Sequence, residues 1–326
     1  MQKIFVTGAN GLLGTNLIHA LLDQGYHVKG LLRDSSRYEG LLHGNLELVE
    51  ANLLNDLTDH LQGCDCVIHV AAETGQDLLH YSDYQKINFH TTVSLLDSAI
   101  SCKVRKFLFV STANTLGYGS LTNLGTEQNK IKGPFKDSYY VKSKLEAENY
   151  LLQYKDKIDV IILHPAFMIG AYDTKPGSGK IILFGLKSRL LFHPPGGKNF
   201  VHVKDVSNGI LQSMVKGVNG EHYLLCNENF TYSEFFRELS RIAHHPSVRI
   251  QIPGPVLIAM GYIGDLLRFF KVKTDISSIN MRMLCVSNFY SNSKSVAELD
   301  MQYQPVEDAI RDAISYFDKK RSALKH

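Results

Sequence analysis

Eight residues near the start of the chain, Thr7-Gly8-Ala9-Asn10-Gly11-Leu12-Leu13-Gly14, constrain its fold more than any other segment. They follow Lys3-Ile4-Phe5-Val6, which reads as a strand, and lead into residues 12–22, where apolar residues recur at helical spacing. The glycines of such a turn have separate tasks. Gly8 makes the tight turn, Gly11 lets the backbone approach a pyrophosphate, and Gly14 lets helix and strand pack closely. The helix tip, from Asn10 through Leu12 and Leu13, then offers free N–H groups and a partial positive charge to an anion. Directly after a strand, this turn predicts a dinucleotide site.

The residues that follow repeat the same alternation. Short apolar runs at 28–32, 46–49, 67–70, 106–110 and 158–163 read as strands, and 84–100 and 140–154 read as helices between them. The succession predicts an α/β chain with a doubly wound parallel sheet. After Pro165 the texture changes, with turn signals at Pro176-Gly177-Ser178-Gly179 and Pro194-Pro195-Gly196-Gly197. Short helices at 232–243, 255–270 and 305–317 suggest a smaller, mostly helical lobe. The expected division is a nucleotide-binding domain over 1–165, with a strand and helix returning to it at about 200–226, and a substrate lobe over 166–326. Substrate would enter the cleft between them.

Composition removes several classes of function. A formal net charge of +3, with no block of like charges, gives no reason to expect a nucleic-acid partner. Cys64, Cys66, Cys102, Cys226 and Cys285 are odd in number and irregular in spacing. They predict free thiols in a reducing compartment and no metal site. The chain opens straight into a strand without a signal-like apolar stretch, so a cytoplasmic protein is expected. The longest apolar run, 255–270, carries Asp265 and Arg268 and falls short of the ~20 residues of a membrane span. It reads as a packed helix, or else as a membrane-surface element or a lid over an apolar substrate.

Tyr140-Val141-Lys142-Ser143-Lys144 places a phenol and an ammonium four residues apart, on one face of a helix. The ammonium is expected to lower the phenol's pKa, preparing it to hand a proton to a carbonyl oxygen. At the end of the second strand, Leu32 stands where NAD enzymes carry an acid, and Arg33 follows. A guanidinium suits a 2′-phosphate, with Ser35 or Ser36 as further donors, so NADP(H) is the expected cofactor. The competing reading pairs Arg33 with Asp34 or solvent.

The spacing Thr7-Gly-x-x-Gly-x-x-Gly14 together with Tyr140-x-x-x-Lys144 resembles the extended short-chain dehydrogenases/reductases, the NAD(P)-dependent epimerase/dehydratase family. The resemblance runs nearly end to end and is closest in appearance to the dihydroflavonol-reductase-like branch. It implies a Rossmann-type fold and further site residues. Thr112, in Ser111-Thr112-Ala113-Asn114-Thr115-Leu116-Gly117, matches the catalytic hydroxyl that steadies the substrate carbonyl. Asn52-Leu53 resembles the Asp-Leu step beside the adenine, and Ala71 and Ala72 would line the ribose-pyrophosphate channel. Asn88 resembles the family's helix-opening Asn, although Thr91-Thr92 replaces the usual Gly-Thr. Pro165 would lie against the nicotinamide, and His164 before it departs from the pattern. His202 and Asp205 would organise the hinge between lobes, and a homodimer would form through the helices at 84–100 and 140–154.

The function expected is hydride transfer between a nicotinamide and a carbonyl or alcohol of a small, apolar substrate. Thr112 and Tyr140 would orient it while Lys144 secures the ribose. A sugar-nucleotide epimerase or dehydratase is the alternative on the same scaffold. Ala113-Asn114 after Thr112, where dehydratases carry an acidic pair, counts against it. A non-catalytic NADP sensor would be expected to have lost Tyr140 or Lys144. The aromatic and aliphatic residues of 167–192, from Phe167 through Phe184 to Phe192, suit an apolar pocket and a lobe core equally.

Overall fold

The structure, a computed structural model, describes residues 2–323. Its thirteen strands are β1 (Lys3–Thr7), β2 (His27–Leu32), β3 (Leu46–Glu50), β4 (Cys66–His69), β5 (Lys106–Val110), β6 (Asp159–Pro165), β7 (Phe167–Ile169), β8 (Leu190–His193), β9 (Gly197–His202), β10 (His222–Leu225), β11 (Glu228–Thr231), β12 (Val248–Gln251) and β13 (Ser287–Asn288). Seven of them form one parallel sheet in the order β10-β6-β5-β4-β1-β2-β3. The chain winds outward in both directions from β1 and β4, so a crevice opens at their C-terminal ends.

The apolar runs are continuous because both faces of this sheet are covered. Successive side chains point to opposite faces, and the core divides accordingly. Ile4 and Val6, Leu108 and Val110, and Ile161 and Leu163 enter the core on one face. Phe5, Phe107 and Phe109, and Val160 and Ile162 enter the core on the other. The first face is covered by helices α1 (Leu12–Asp23) and, from far along the sequence, Val203–Lys216. Phe107 is fully buried, and truncating it to alanine would cost about 3–5 kcal/mol.

On the second face lie the short α2 (Thr58–Leu61), α3 (Tyr81–Gln85), α4 (Thr91–Ser101) and α5 (Tyr139–Leu151). The helix expected over 84–100 is present as one continuous helical run from Tyr81 to Ser101, which carries a π turn at Lys86–His90. Local side-chain hydrogen bonds accompany that turn. The Thr91 hydroxyl donates back to Ile87 O and the Thr92 hydroxyl to Asn88 O (2.8 Å), while the Asn88 side chain turns inward. Such insertions into a helical ladder are frequent at functional sites.

The remaining helices are α6 (Lys180–Lys187), α7 (Val203–Lys216), α8 (Tyr232–Ile242), α9 (Gly254–Phe269), α10 (Ser278–Leu284), α11 (Ser293–Leu299) and α12 (Val306–Ala323). Within them sit two small sheets, one joining β11-β9-β13 with β7 against β9, the other pairing β12 with β8. Apart from β9, these strands are too short to leave a periodic trace in the sequence. A third apolar core holds this region together, with Phe200 stacked on Phe235 at 4.3 Å between ring centres. Of the 167–192 segment, Ile169 and Leu191 enter that core, whereas Phe184, Leu190 and Phe192 are exposed. His202 caps α7, its Nδ1 accepting from Lys204 N at 3.1 Å. Asp205 accepts from Gln304 N (2.9 Å) and from Gln304 Nε2 (3.1 Å), which ties α7 to the segment before α12.

Candidate active site

The turn after β1 has the stereochemistry that its glycines predict. Gly8 has φ +73°, and a Cβ there would press on the Ala71 backbone at 3.0 Å. At Gly14 a Cβ would meet Gly8 O at 2.0 Å, so helix and turn are in direct backbone contact. A Cβ at Gly11 would meet nothing closer than 3.4 Å, which leaves that position open on its outer side. Gly11 N donates to Gly8 O (3.1 Å), and α1 begins at Leu12 with no side-chain cap and no acid in its first turn. Leu13 is buried in the core and Leu12 packs partly against it, so both can serve an anion only through their N–H groups. Asn10 lies in the turn, where its carbonyl accepts from the Thr174 hydroxyl (3.3 Å).

Thr7 fastens the neighbouring strand to this turn. Its Oγ1 accepts from Val70 N (3.1 Å) and Ala71 N (3.0 Å), and it bonds His69 Nδ1 at 2.7 Å. Having received two donors, the hydroxyl gives its own proton to Nδ1, so His69 donates from Nε2 to Thr92 Oγ1 (3.0 Å). Burial holds the His69 pKa down at about 3, and the neutral ring is a fixed strut. Ala71 and Ala72, both half-buried, line the loop directly opposite Gly8.

The elements at the far side of the crevice bring Thr112, Tyr140 and Lys144 together. Thr112 follows β5, and its Oγ1 accepts from Asn114 N (3.3 Å) and partners the Tyr140 phenol. Tyr140 and Lys144 share a face of α5. Lys144 is 1 % exposed, donates to Val110 O at 2.8 Å and lies 3.8 Å from the centre of the Phe109 ring. Asn88 secures the start of α5: its Nδ2 donates to Ser143 Oγ (2.9 Å), and Ser143 Oγ donates to Tyr140 O (2.8 Å). The same Asn88 exchanges two bonds with the Glu73 backbone, at 2.7 and 3.0 Å, so one buried amide joins the Ala71-Ala72 loop to α5.

One expectation about this cluster is corrected. Tyr140 is not acidified by Lys144; its pKa is pushed up to about 12, because burial outweighs the stabilising Thr112 hydroxyl. The ammonium is turned toward Val110 O and Phe109, and burial brings its own pKa down to about 7, against an upward pull from Glu148.

Glu148, one turn beyond Lys144, is a component that motif matching missed. It is 2 % exposed, accepts from the Ser111 hydroxyl, and has its pKa raised by burial. The i, i+4 spacing from Lys144 was the available signal. His164 Nδ1 lies 3.8 Å from Glu148 Oε1, and His164 Nε2 meets His222 Nδ1 at 2.8 Å with the rings stacked. His164 Nδ1 also lies 3.1 Å from Thr112 O. A carbonyl can only accept, so Nδ1 carries the proton and Nε2 receives one from His222. The ligand-type atoms of Glu148, His164 and His222 fall within 4.8 Å of one another, yet the ring nitrogens between them are already hydrogen-bonded. His164 thus holds the backbone of Thr112 in place, together with the Thr115 hydroxyl (2.9 Å to Thr112 O). Pro165, beside it, is buried at the end of β6.

At the adenine end, Arg33 is exposed and meets no carboxylate among the described residues; it is Arg37 that pairs with Asp34, at 2.9 Å. Ser35 Oγ donates to Glu50 (2.8 Å) and Ser36 Oγ to Asp34 (2.5 Å), so both hydroxyls are already engaged. Asn52 is exposed and its Oδ1 accepts from Leu54 N (3.0 Å), while Leu53 packs on the second core.

The family model described as the NAD dependent epimerase/dehydratase family matches residues 4–226, from β1 through β10. The chain belongs to that family. Among relatives of this family member is a provisionally named dihydroflavonol 4-reductase of Synechocystis sp., 28 % identical over 96 % of this chain and 94 % of its own length. Sterol demethylase protein B of Methylococcus capsulatus is 28 % identical, covering 97 % of this chain and 98 % of that one. The crystal structure of gox2253 superposes with a TM-score of 0.84 at 27 % identity, over 98 % of this chain and 99 % of the other. A nicotinamide dinucleotide fits what the turn after β1 offers: an uncapped helix tip, an open face at Gly11, and small residues at 71 and 72.

Proposed function

We propose that the chain is an NADP(H)-dependent reductase or dehydrogenase, acting on a carbonyl or alcohol of a small apolar substrate. The observation that carries the reading is the meeting of Thr112, Tyr140 and Lys144 beside the crevice at the ends of β1, β4 and β5. Gly8, Asn10, Gly11, Leu12, Leu13 and Gly14 would hold the pyrophosphate, Ala71, Ala72 and Asn88 the channel wall, and Pro165 the nicotinamide side. When bound, the dinucleotide supplies or accepts the hydride.

The residues of the chain supply position and protons. Thr112 Oγ1 accepts from Asn114 N, and its O–H, directed at the Tyr140 phenol in the substrate-free protein, would turn to donate to the substrate oxygen. Tyr140, with its pKa near 12, is a neutral phenol at pH 7 and therefore in the right state to protonate an oxygen that is gaining charge. Lys144 stands one turn behind it to hold the ribose and to meet the phenolate that forms. Arg33, which meets no carboxylate among the described residues, supports NADP over NAD. An apolar substrate is supported by the relative named for sterol demethylation. Pairing of two copies through α4 and α5 belongs to the same reading, with light scattering as its check.

The test is nicotinamide absorbance with a panel of carbonyls and alcohols, with NADPH and NADH compared. Tyr140→Phe should lower kcat by about 10²–10⁴-fold while leaving the cofactor Kd unchanged. A preference for NADH would overturn the role given to Arg33. Turnover in Tyr140→Phe equal to that of the parent would overturn the catalytic assignment.

A further inference from the structure

Helix α9 is firmly attached to the protein, yet half of its surface is apolar and bare. Its inner side rests on Leu257, Gly261 and Gly264; a Cβ at Gly264 would meet Ile276 O at 2.1 Å, and one at Gly261 would meet Ser278 Cα at 2.7 Å. On the outside, Met260, Tyr262, Ile263, Leu266, Phe269 and Phe270 are exposed, the last two by 80 and 67 %. At ~100° per residue these positions sweep about 180° of the helix. An apolar stripe that packs on one neighbour is nearer ~100° wide.

The charges of this region are sorted. Asp265 accepts from Ser278 N (3.1 Å), and Arg268 donates to the carbonyls of Gln76, Leu78 and Thr274, so both charges inside the helix are used by the protein itself. Immediately after the Phe269-Phe270 tip the chain turns at Lys271, φ +62°, and exposes Lys271 and Lys273. Neither meets a carboxylate among the described residues. An apolar arc ending in two aromatic rings, with Arg282 bonded to the Tyr262 hydroxyl (2.7 Å) at its edge and two lysines that meet no carboxylate among the described residues at its border, matches the interface of a bilayer that carries negative lipid. A conforming medium covers a wide arc that a rigid partner would leave partly wet. Sixteen residues, ~24 Å of helix, fit along such a surface, and no helix among the described residues is long and apolar enough to cross it.

We propose that α9 and the turn after it, through Lys273, dock this protein on an anionic bilayer surface. Arg268 and Asn280 tie the region to Gln76 O, in the loop that continues from Ala71, Ala72 and Glu73. Docking therefore sets the crevice beside the lipid phase, from which an apolar substrate can be drawn. The docking itself does not depend on the redox reading.

Co-sedimentation of the full chain with vesicles tests it, using phosphatidylcholine alone and phosphatidylcholine mixed with phosphatidylglycerol. The protein should partition onto the mixed vesicles. Phe269→Ser with Phe270→Ser should reduce that partition at least ten-fold, and because both rings are exposed the melting temperature should not fall. Lys271→Gln with Lys273→Gln should reduce binding to the mixed vesicles by about five-fold per lysine and leave phosphatidylcholine binding unchanged. Absence of binding to mixed vesicles, or binding indifferent to the two phenylalanines, overturns the proposal. So does a parent protein that ignores vesicles but forms dimers which the Phe269→Ser, Phe270→Ser variant loses, since the face would then join two copies. Sedimentation reads docking without turnover, so its failure and the failure of the reductase assignment are distinguishable.

Discussion

Replacing Lys144 by methionine should make the cofactor-free protein more stable near neutral pH while abolishing the proposed chemistry. The ammonium is buried, and its pKa falls from 10.5 to about 7, chiefly through loss of water and against an opposing pull from Glu148. The sign follows from proton uptake. Between pH 10.5 and 7 the unfolded chain binds a proton at Lys144 that the folded chain does not, so folding stability from this group falls as pH falls. The slope is about 1.4 kcal/mol per pH unit and the whole penalty is about 5 kcal/mol, constant below pH 7. Methionine keeps the unbranched stem against Phe109 but leaves Val110 O without its donor, a loss of about 1–3 kcal/mol. The variant should therefore gain about 2–4 kcal/mol at pH 7, and the gain should vanish toward pH 9.5. The chain has no tryptophan, so urea unfolding is best followed by circular dichroism, with parent and variant compared at pH 6.5, 7.5, 8.5 and 9.5. A stability difference that does not change across that range would refute the reasoning.

Two other outcomes can be checked with the same equipment. Gly14→Ala would place a methyl group 2.0 Å from Gly8 O, so it should cost at least about 2 kcal/mol and sharply weaken NADPH binding, seen by nucleotide fluorescence titration; unchanged binding would contradict the tight contact. His69, at about pKa 3, and His164 and His222, each at about 4, are all depressed first by burial. Each unfolded imidazole binds a proton below pH 6.5 that the folded one refuses, so stability should fall by about 1.4 kcal/mol per pH unit per histidine as pH drops from 6.5 toward 4.5. A flat urea midpoint over that interval would argue that these rings are wet.

Much of the first half of the chain was legible because its signals are local. A glycine with positive φ, a helix tip without a cap, and buried strands written as apolar runs each follow from a few adjacent residues, as at Gly8, Leu12 and Phe107. The phenol and ammonium of Tyr140 and Lys144 were legible for the same reason, since helical spacing alone puts them on one face. The small strands β7, β8 and β11–β13 were not legible, because two to four residues carry no period.

What the amino-acid order determined by itself is the backbone: where the chain turns, which faces are apolar, and which side chains stand one helical turn apart. Tertiary structure alone decided the electrostatics and the exposure. Tyr140 ended with a raised pKa rather than a lowered one, because desolvation depends on everything packed around a group and Lys144 found an acceptor in Val110 O. Likewise 255–270 was readable as a helix, but that its outer half stays bare follows from how closely Gly261 and Gly264 seat its other side on the backbone of residues 276–278. Spacing along a chain fixes neighbours within one element; burial is set by what arrives from elsewhere.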